Sequence, residues 1–122
     1  MQKSIFVLED NASLRKLFVM LLEEENYQVS SFATAADLTA GMSAFPQPDL
    51  FVLDIFLPDG NGIEICNELG NNEITSETPV ILLSAHFGPL DTITNCPAKE
   101  FIRKPFDIDY FIKQVDKYIN DR

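Results

Sequence analysis

Short apolar segments alternate with amphipathic segments along the whole chain, and this alternation limits the possible folds more than any other feature. The apolar segments are continuous and rich in β-branched or aromatic residues, which is typical of strands covered on both faces of a parallel sheet. We predict strands at residues 5–8, 28–33, 49–54, 80–84 and 100–103. The segment 28–33 is more polar than the segment 5–8, which favours a place near the edge of the sheet.

The segments between the strands show helical spacing. After Asn11, apolar residues recur at three- and four-residue intervals, which predicts an amphipathic helix of about four turns with Asn11 or Ser13 as its N-cap. Its apolar face consists of Leu14, Leu17, Phe18, Leu21 and Leu22. We predict further helices at residues 35–44, 63–70 and 108–119.

Five strand–helix units in strict alternation predict an α/β fold with a doubly wound, five-stranded parallel sheet and helices on both faces. There is no linker or internal repeat, so we expect one domain over residues 1–122. Gly88, Pro89 and Pro97 interrupt the segment before the last strand. Since proline breaks helices, only a short helix at 90–95 is expected there, and the fourth helix of the fold should be shortened or irregular.

Composition excludes several classes of partner. The chain has nine basic and 19 acidic residues, a net charge of −10, so we expect it to bind neither nucleic acid nor anionic membranes directly. Its apolar runs are far shorter than the roughly 20 residues that span a bilayer, and the amino-terminal residues do not form a secretory signal. Cys66 and Cys96 form no metal or redox motif, which indicates reduced thiols in a cytoplasmic protein.

Polar residues follow the predicted strands where they end. Glu9 and Asp10 follow the first, Asp54 ends the third, Ser84 ends the fourth, and Lys104 follows the fifth. Ligands of doubly wound sheets bind at this edge. Carboxylates gathered there repel one another unless a hard divalent cation such as Mg²⁺ is held between them. Phosphoryl transfer requires a nucleophile, a cation and further groups that contact the phosphoryl oxygens. This edge offers a carboxylate, a cation site, a lysine and a hydroxyl.

Taken singly, these residues have ordinary explanations. Glu9 or Asp10 alone suits a helix cap, and Ser84 or Lys104 alone suits a turn or the surface. Asp54 is harder to explain in this way, because a carboxylate next to the core is costly unless it is paired or ligated. The occurrence of all five at successive strand ends therefore favours a functional site.

Four motifs together resemble the receiver (phosphoacceptor) domain of two-component response regulators, and are similar to the chemotaxis-type single-domain regulators. They are the acid pair Glu9-Asp10, VLDIFLPDGNG at 52–62, ILLSA at 81–85 and FIRKPF at 101–106. The resemblance covers residues 4–122. It implies a flavodoxin-like strand order, 2-1-3-4-5, and a phosphorelay in which a sensor histidine kinase or a histidine phosphotransfer protein donates the phosphoryl group. It implies a signalling protein rather than an enzyme.

The resemblance also implies roles for single residues. Asp54 corresponds to the phosphoacceptor. Asp10 corresponds to a direct Mg²⁺ ligand, Glu9 to its partner through water, and the backbone carbonyl of Phe56 to a further ligand. These residues would form the metal site.

A second group would sense phosphorylation. The Ser84 hydroxyl is expected to move to the phosphoryl oxygen, and Lys104 to pair with the phosphoryl group. Phe101 stands at the aromatic switch position and lacks the hydroxyl of the commoner tyrosine. The bond between Lys104 and Pro105 is expected to be cis.

Departures from the family pattern lead to further expectations. Phe56 is bulky where polar residues often position hydrolytic water, and His86 lies on the other flank, so both are possible modulators of dephosphorylation. The segment from Ser84 to Lys104 is about two residues shorter than expected for the family. Because it forms part of the reporting face around strand 5 and helices 4 and 5, we expect a monomer or a non-standard dimer.

Three other classes of protein fit these residues less well than the receiver does. A haloacid-dehalogenase-like phosphohydrolase needs a second acid two residues after its nucleophile, where this chain has Phe56. A pseudo-receiver, which binds partners without being phosphorylated, is disfavoured by the intact set of site residues. A flavodoxin-type carrier is disfavoured because Glu9 and Asp10 would repel its phosphate.

Overall fold

The predicted alternation of strands and helices is present in the structure, a computed structural model that describes residues 2–85 and 96–120. Seven strands lie in the described residues: β1 (Ser4–Leu8), β2 (Gln28–Phe32), β3 (Leu50–Asp54), β4 (Phe56–Leu57), β5 (Gly60–Asn61), β6 (Val80–Ser84) and β7 (Glu100–Arg103). The helices described there are α1 (Ala12–Glu24), α2 (Ala35–Ala44), α3 (Gly62–Gly70) and α4 (Ile108–Ile119). The boundaries differ from the predicted ones by one or two residues at most.

The main sheet has five parallel strands in the order β2-β1-β3-β6-β7. This is the flavodoxin-like order that the resemblance implied, with β4 and β5 forming a separate small hairpin. Every residue of the two strands β3 and β6 is buried, which explains their unbroken apolar sequences. The more polar β2 lies at an edge, as predicted.

Side chains alternate between two cores because successive residues of a strand point to opposite faces of the sheet. Along β1, Ile5 and Val7 face the core under α1 and α4, whereas Phe6 and Leu8 face the core under α2 and α3. The first core contains a group of three aromatic rings with centroids 5.1 to 5.5 Å apart. They belong to Phe18, Phe106 and Phe111.

Side-chain caps start all four helices of the described residues. Asn11 Oδ1 accepts from the Leu14 N–H at 2.9 Å, which selects Asn11 over Ser13 as the cap of α1. Thr34, Asn61 and Asp107 cap the other helices in the same way. Each cap satisfies an amide that has no partner within its own helix.

Residues 56–61 form a short hairpin that was not among the predicted elements. Phe56 pairs with Asn61, and Leu57 with Gly60. The Asp59 carboxylate accepts from the amides of Ala35 at 2.8 Å and Ala36 at 3.1 Å, so it ties the hairpin to the start of α2.

The remaining expectations differ in outcome. The bond between Lys104 and Pro105 is cis, as expected. The short helix predicted at 90–95 lies outside the described residues. Among the helices that the structure does describe, none is long and apolar enough to cross a membrane.

Candidate functional site

The five predicted site residues lie at one edge of the sheet, at the carboxyl ends of four neighbouring strands. Glu9 and Asp10 follow β1, Asp54 and Ser84 are the last residues of β3 and β6, and Lys104 follows β7. The parallel strand register holds them there: the Lys104 amide donates to the Ser84 carbonyl at 2.7 Å, continuing the β6–β7 ladder. The fold therefore gathers residues that are up to 95 positions apart in the chain.

Lys104 links two of the carboxylates. Its Nζ lies 2.7 Å from Glu9 Oε1 and 3.2 Å from Asp54 Oδ2. The side chains of Lys104, Glu9 and Asp54 are only 18%, 1% and 6% exposed, so water screens both ion pairs poorly. Burial opposes the charge of Lys104, but the two carboxylates outweigh it and raise the pKa of the lysine. The lysine is therefore held as an ammonium.

Glu9 is the most deeply buried member of the site, with no exposed surface. Burial is the main cause that raises the pKa of Glu9 to about 7, and repulsion from Asp54 adds to it. The hydrogen bonds from Lys104 and from the Asn11 amide, which donates to Oε2 at 3.1 Å, act in the opposite direction. Glu9 was expected to contact the metal site through water, and the structure shows in addition a direct ion pair with Lys104.

Asp54 presents its two oxygens to different groups. Oδ2 contacts Lys104, and Oδ1 lies 3.4 Å from the Phe56 amide, which donates to it. As whole residues, Asp54 is 4% exposed and the neighbouring Phe56 is 55% exposed. The Asp54 carboxylate is therefore buried and held by two partners, next to the exposed side chain of Phe56.

Three carboxylates are close enough to share a cation. Glu9, Asp10 and Asp54 each offer an oxygen, and these oxygens all lie within 4.8 Å of one another. Glu9 and Asp54 are buried and Asp10 is exposed. An all-oxygen donor set with an open side suits Mg²⁺, which binds one or two carboxylates and keeps several waters. The residues present therefore fit this ion.

The two predicted switch residues, Ser84 and Phe101, both lie in the described part of the chain, whereas the possible modulator His86 does not. Ser84 is buried at the end of β6. Phe101, in β7, is half-buried and packs against the core under α2 and α3. His86 lies outside the described residues.

Gly62 was not among the predicted site residues, although it packs against the backbone of Asp54. A Cβ at this position would lie 2.3 Å from the Asp54 carbonyl oxygen and 3.0 Å from the Asp54 carbonyl carbon and Ile55 Cα. Only glycine permits so close an approach to the backbone. The available signal was the second glycine of the loop after Asp54, directly before a predicted helix.

A doubly wound α/β domain with a carboxylate cluster and a lysine at its strand ends defines the class of this protein as a signalling receiver. The sequence matches the response regulator receiver domain family over residues 5–116. The chain therefore belongs to this family, and its function is that of a receiver domain of two-component systems.

Known relatives agree with this assignment. The chain is 32% identical over 124 residues to the polar-differentiation response regulator DivK of Brucella ovis, covering 99% of each chain. It is 31% identical over 121 residues to the transcriptional regulatory protein CssR of Bacillus subtilis. This match covers 98% of this chain but only 52% of CssR. The chain thus spans about half the length of CssR.

A solved structure shares the fold. The response regulator TrrA of Thermotoga maritima, crystallised in complex with Mg²⁺-BeF, has a TM-score of 0.85 and 26% identity, with 96% of this chain and 99% of TrrA covered. Proteins of this family are signalling proteins rather than classical enzymes, and they bind Mg²⁺ at the acidic site.

Proposed function

We propose that this receiver domain, taken as residues 1–122, accepts a phosphoryl group on Asp54 from a phosphohistidine of a sensor histidine kinase or histidine phosphotransfer protein. In this step an Asp54 oxygen bonds to phosphorus, the bond from phosphorus to the histidine nitrogen breaks, and the nitrogen keeps the electron pair. The observation that supports the proposal most strongly is the buried Asp54 carboxylate, fixed by Lys104 beside Glu9 and Asp10.

Mg²⁺ fits the proposed site through Glu9, Asp10, Asp54 and the backbone carbonyl of Phe56. When bound, it would supply positive charge that offsets the carboxylates and the phosphoryl oxygens. Lys104 contributes a further positive charge, since its ammonium already contacts Asp54.

The same proposal includes a response to phosphorylation. The Ser84 hydroxyl, at the end of the strand next to β3, would turn to the new phosphoryl oxygens, and Phe101 would follow by packing deeper against its core. Because the segment from Ser84 to Lys104 is about two residues shorter than expected for the family, the proposal takes a monomer or a non-standard dimer as the functional state.

Acetyl phosphate tests the phosphoacceptor directly. With Mg²⁺, intact mass spectrometry of the wild type should show one added phosphoryl group, whereas Asp54→Asn should show none. Chelation of Mg²⁺ should prevent the modification. Asp109→Asn, a change of the same type at an exposed position of α4, is the matched control and should be modified normally.

The results that would overturn the proposal are a phosphoryl group on Asp54→Asn or none on the wild type. The second result would indicate a pseudo-receiver, which works by binding alone.

We expect Phe56→Asn to shorten the lifetime of the phosphorylated domain. Phe56 is 55% exposed, and its amide donates to Asp54, so an amide side chain there would position a water where the ring now excludes it. We predict dephosphorylation faster by about tenfold. Decay of the phosphorylated mass after removal of acetyl phosphate measures this rate.

Ile74→Asn is the control for this prediction, because Ile74 is an exposed apolar side chain in the segment between α3 and β6. Its phosphoryl lifetime should equal that of the wild type. Equal lifetimes for all three proteins would mean that Phe56 does not shield the site.

A further inference from the structure

Two cysteines that are 30 positions apart in the sequence lie side by side in the fold. Cys66, on α3, has no exposed surface, and the half-buried Cys96 packs against the same core. Both side chains therefore belong to one packed core.

A second contact, one helical turn further along, places the same two segments together. Gly70 follows Cys66 by four residues, so both lie on one face of α3. A Cβ on Gly70 would lie 2.8 Å from Pro97 Cγ, and Pro97 directly follows Cys96. The end of α3 therefore packs closely on the chain that leads into β7.

The two thiols differ in accessibility. Burial raises the pKa of the Cys66 thiol, and its contact with Cys96 raises it further. Cys66 is therefore the less reactive of the two thiols toward an oxidant in solution. Cys96 is the more accessible of the two, so it is the residue that a small oxidant reaches first.

We propose that Cys66 and Cys96 form a reversible disulfide when the protein meets a peroxide. This oxidative modification site goes beyond the proposed function and does not depend on it. Disulfides in reducing compartments are usually transient and act in redox sensing. Two neighbouring thiols that differ in accessibility suit this use.

The chemistry needs one peroxide per disulfide. The Cys96 sulfur attacks an oxygen of hydrogen peroxide, the O–O bond breaks, and Cys96 becomes a sulfenic acid with release of water. The Cys66 sulfur then attacks the Cys96 sulfur, the S–O bond breaks, and the leaving oxygen departs as water with the Cys66 proton. Two thiols are oxidised, the peroxide is reduced to two waters, and an external thiol restores both cysteines.

The disulfide would fix α3 to the segment before β7. Ala98 and Phe101 pack in the same core as both cysteines, so the restraint should extend into β7. We therefore expect slower backbone hydrogen exchange at residues 98–101 in the oxidised protein. We also expect a melting temperature higher by several degrees, because the bond restricts the unfolded chain.

The experiment treats the purified protein with hydrogen peroxide, followed by thiol titration, intact mass and non-reducing peptide mapping. The expected result is loss of both thiols, a mass lower by two hydrogen atoms, and a linked peptide containing Cys66 and Cys96. Dithiothreitol should reverse all three changes. Two remaining thiols, stable oxygen adducts on Cys96, or a disulfide between two chains would each overturn the proposal.

Variants keep the test independent of folding and of the phosphorylation proposal. Cys96→Ser and Cys66→Ala should each be unable to form the internal bond, and Cys96→Ser leaves the core residue in place. Asp54→Asn should form the disulfide as readily as the wild type. A Cys96→Ser variant that still gained the hydrogen-exchange protection would also contradict the proposal.

Discussion

Gly62→Ala is expected to be both less stable than the wild type and slow to accept a phosphoryl group. The added methyl would lie 2.3 Å from the Asp54 carbonyl oxygen, and this backbone cannot rotate away as a side chain would. Either α3 or the end of β3 must shift, at a cost of about 1–3 kcal/mol. Because a misplacement of about 1 Å lowers rates as much as 100-fold, phosphorylation by acetyl phosphate should slow by about 10- to 100-fold.

Gly60→Ala is the matched control for this substitution. Gly60 lies in the same loop, but a Cβ there would meet only Ala35 Cβ, at 3.5 Å, which is ordinary contact. Urea unfolding and phosphorylation rates should therefore change little in this variant. If Gly62→Ala behaves like Gly60→Ala in both measurements, the contact with the Asp54 backbone does not position the nucleophile.

Lys104→Met is expected to slow phosphorylation by about 100-fold. Methionine keeps most of the length and apolar stem of the lysine but removes the charge that contacts Glu9 and Asp54. Loss of one preorganised electrostatic group costs about 10²- to 10³-fold in rate. The rate of mass increase with acetyl phosphate and Mg²⁺ measures the effect.

The same variant should be less stable when divalent cations are absent. Removing one partner from a fully buried ion pair costs about 3–5 kcal/mol. We expect the free energy of unfolding of Lys104→Met to be lower by about 2 kcal/mol. The loss is smaller than for a fully buried pair because the Lys104 side chain is 18% exposed and water can reach part of the site. Urea unfolding in a chelating buffer measures this difference.

Lys99→Met controls for the loss of a lysine from this part of the chain. Lys99 is exposed just before β7, and its amide, which donates to Val80, is unchanged by the substitution. It should keep the wild-type stability and phosphorylation rate. A Lys104→Met variant that accepts phosphoryl groups at the Lys99→Met rate would mean that the ammonium is dispensable.

The strands and the edge on which the site lies could be predicted because strands buried on both faces require apolar residues at successive positions. Strands β3 and β6 are buried at every residue, so each had to be a continuous apolar run. A polar residue that ends such a run marks the carboxyl edge, as Asp54 and Ser84 do. Parallel pairing then places these residues together without any knowledge of side-chain contacts.

Other features could not be predicted because they depend on packing between distant segments. The hairpin of β4 and β5 has strands of two residues, too short to show a period. The direct pairing of Glu9 with Lys104 depends on how two long side chains are oriented. The proximity of Cys66 to Cys96 depends on how the end of α3 packs against Pro97. The sequence around either cysteine does not show this packing.

The position of Lys104 between two carboxylates has a consequence for signalling. Its ammonium contacts both Glu9 and Asp54. A phosphoryl group on Asp54 would therefore compete with Glu9 for the positive charge of Lys104. In the proposed phosphorylated state Glu9 would compete for Lys104: the more strongly Glu9 held the lysine, the less that lysine would stabilise negative charge added at Asp54. The length of one acidic side chain can thus set how readily the domain is switched on.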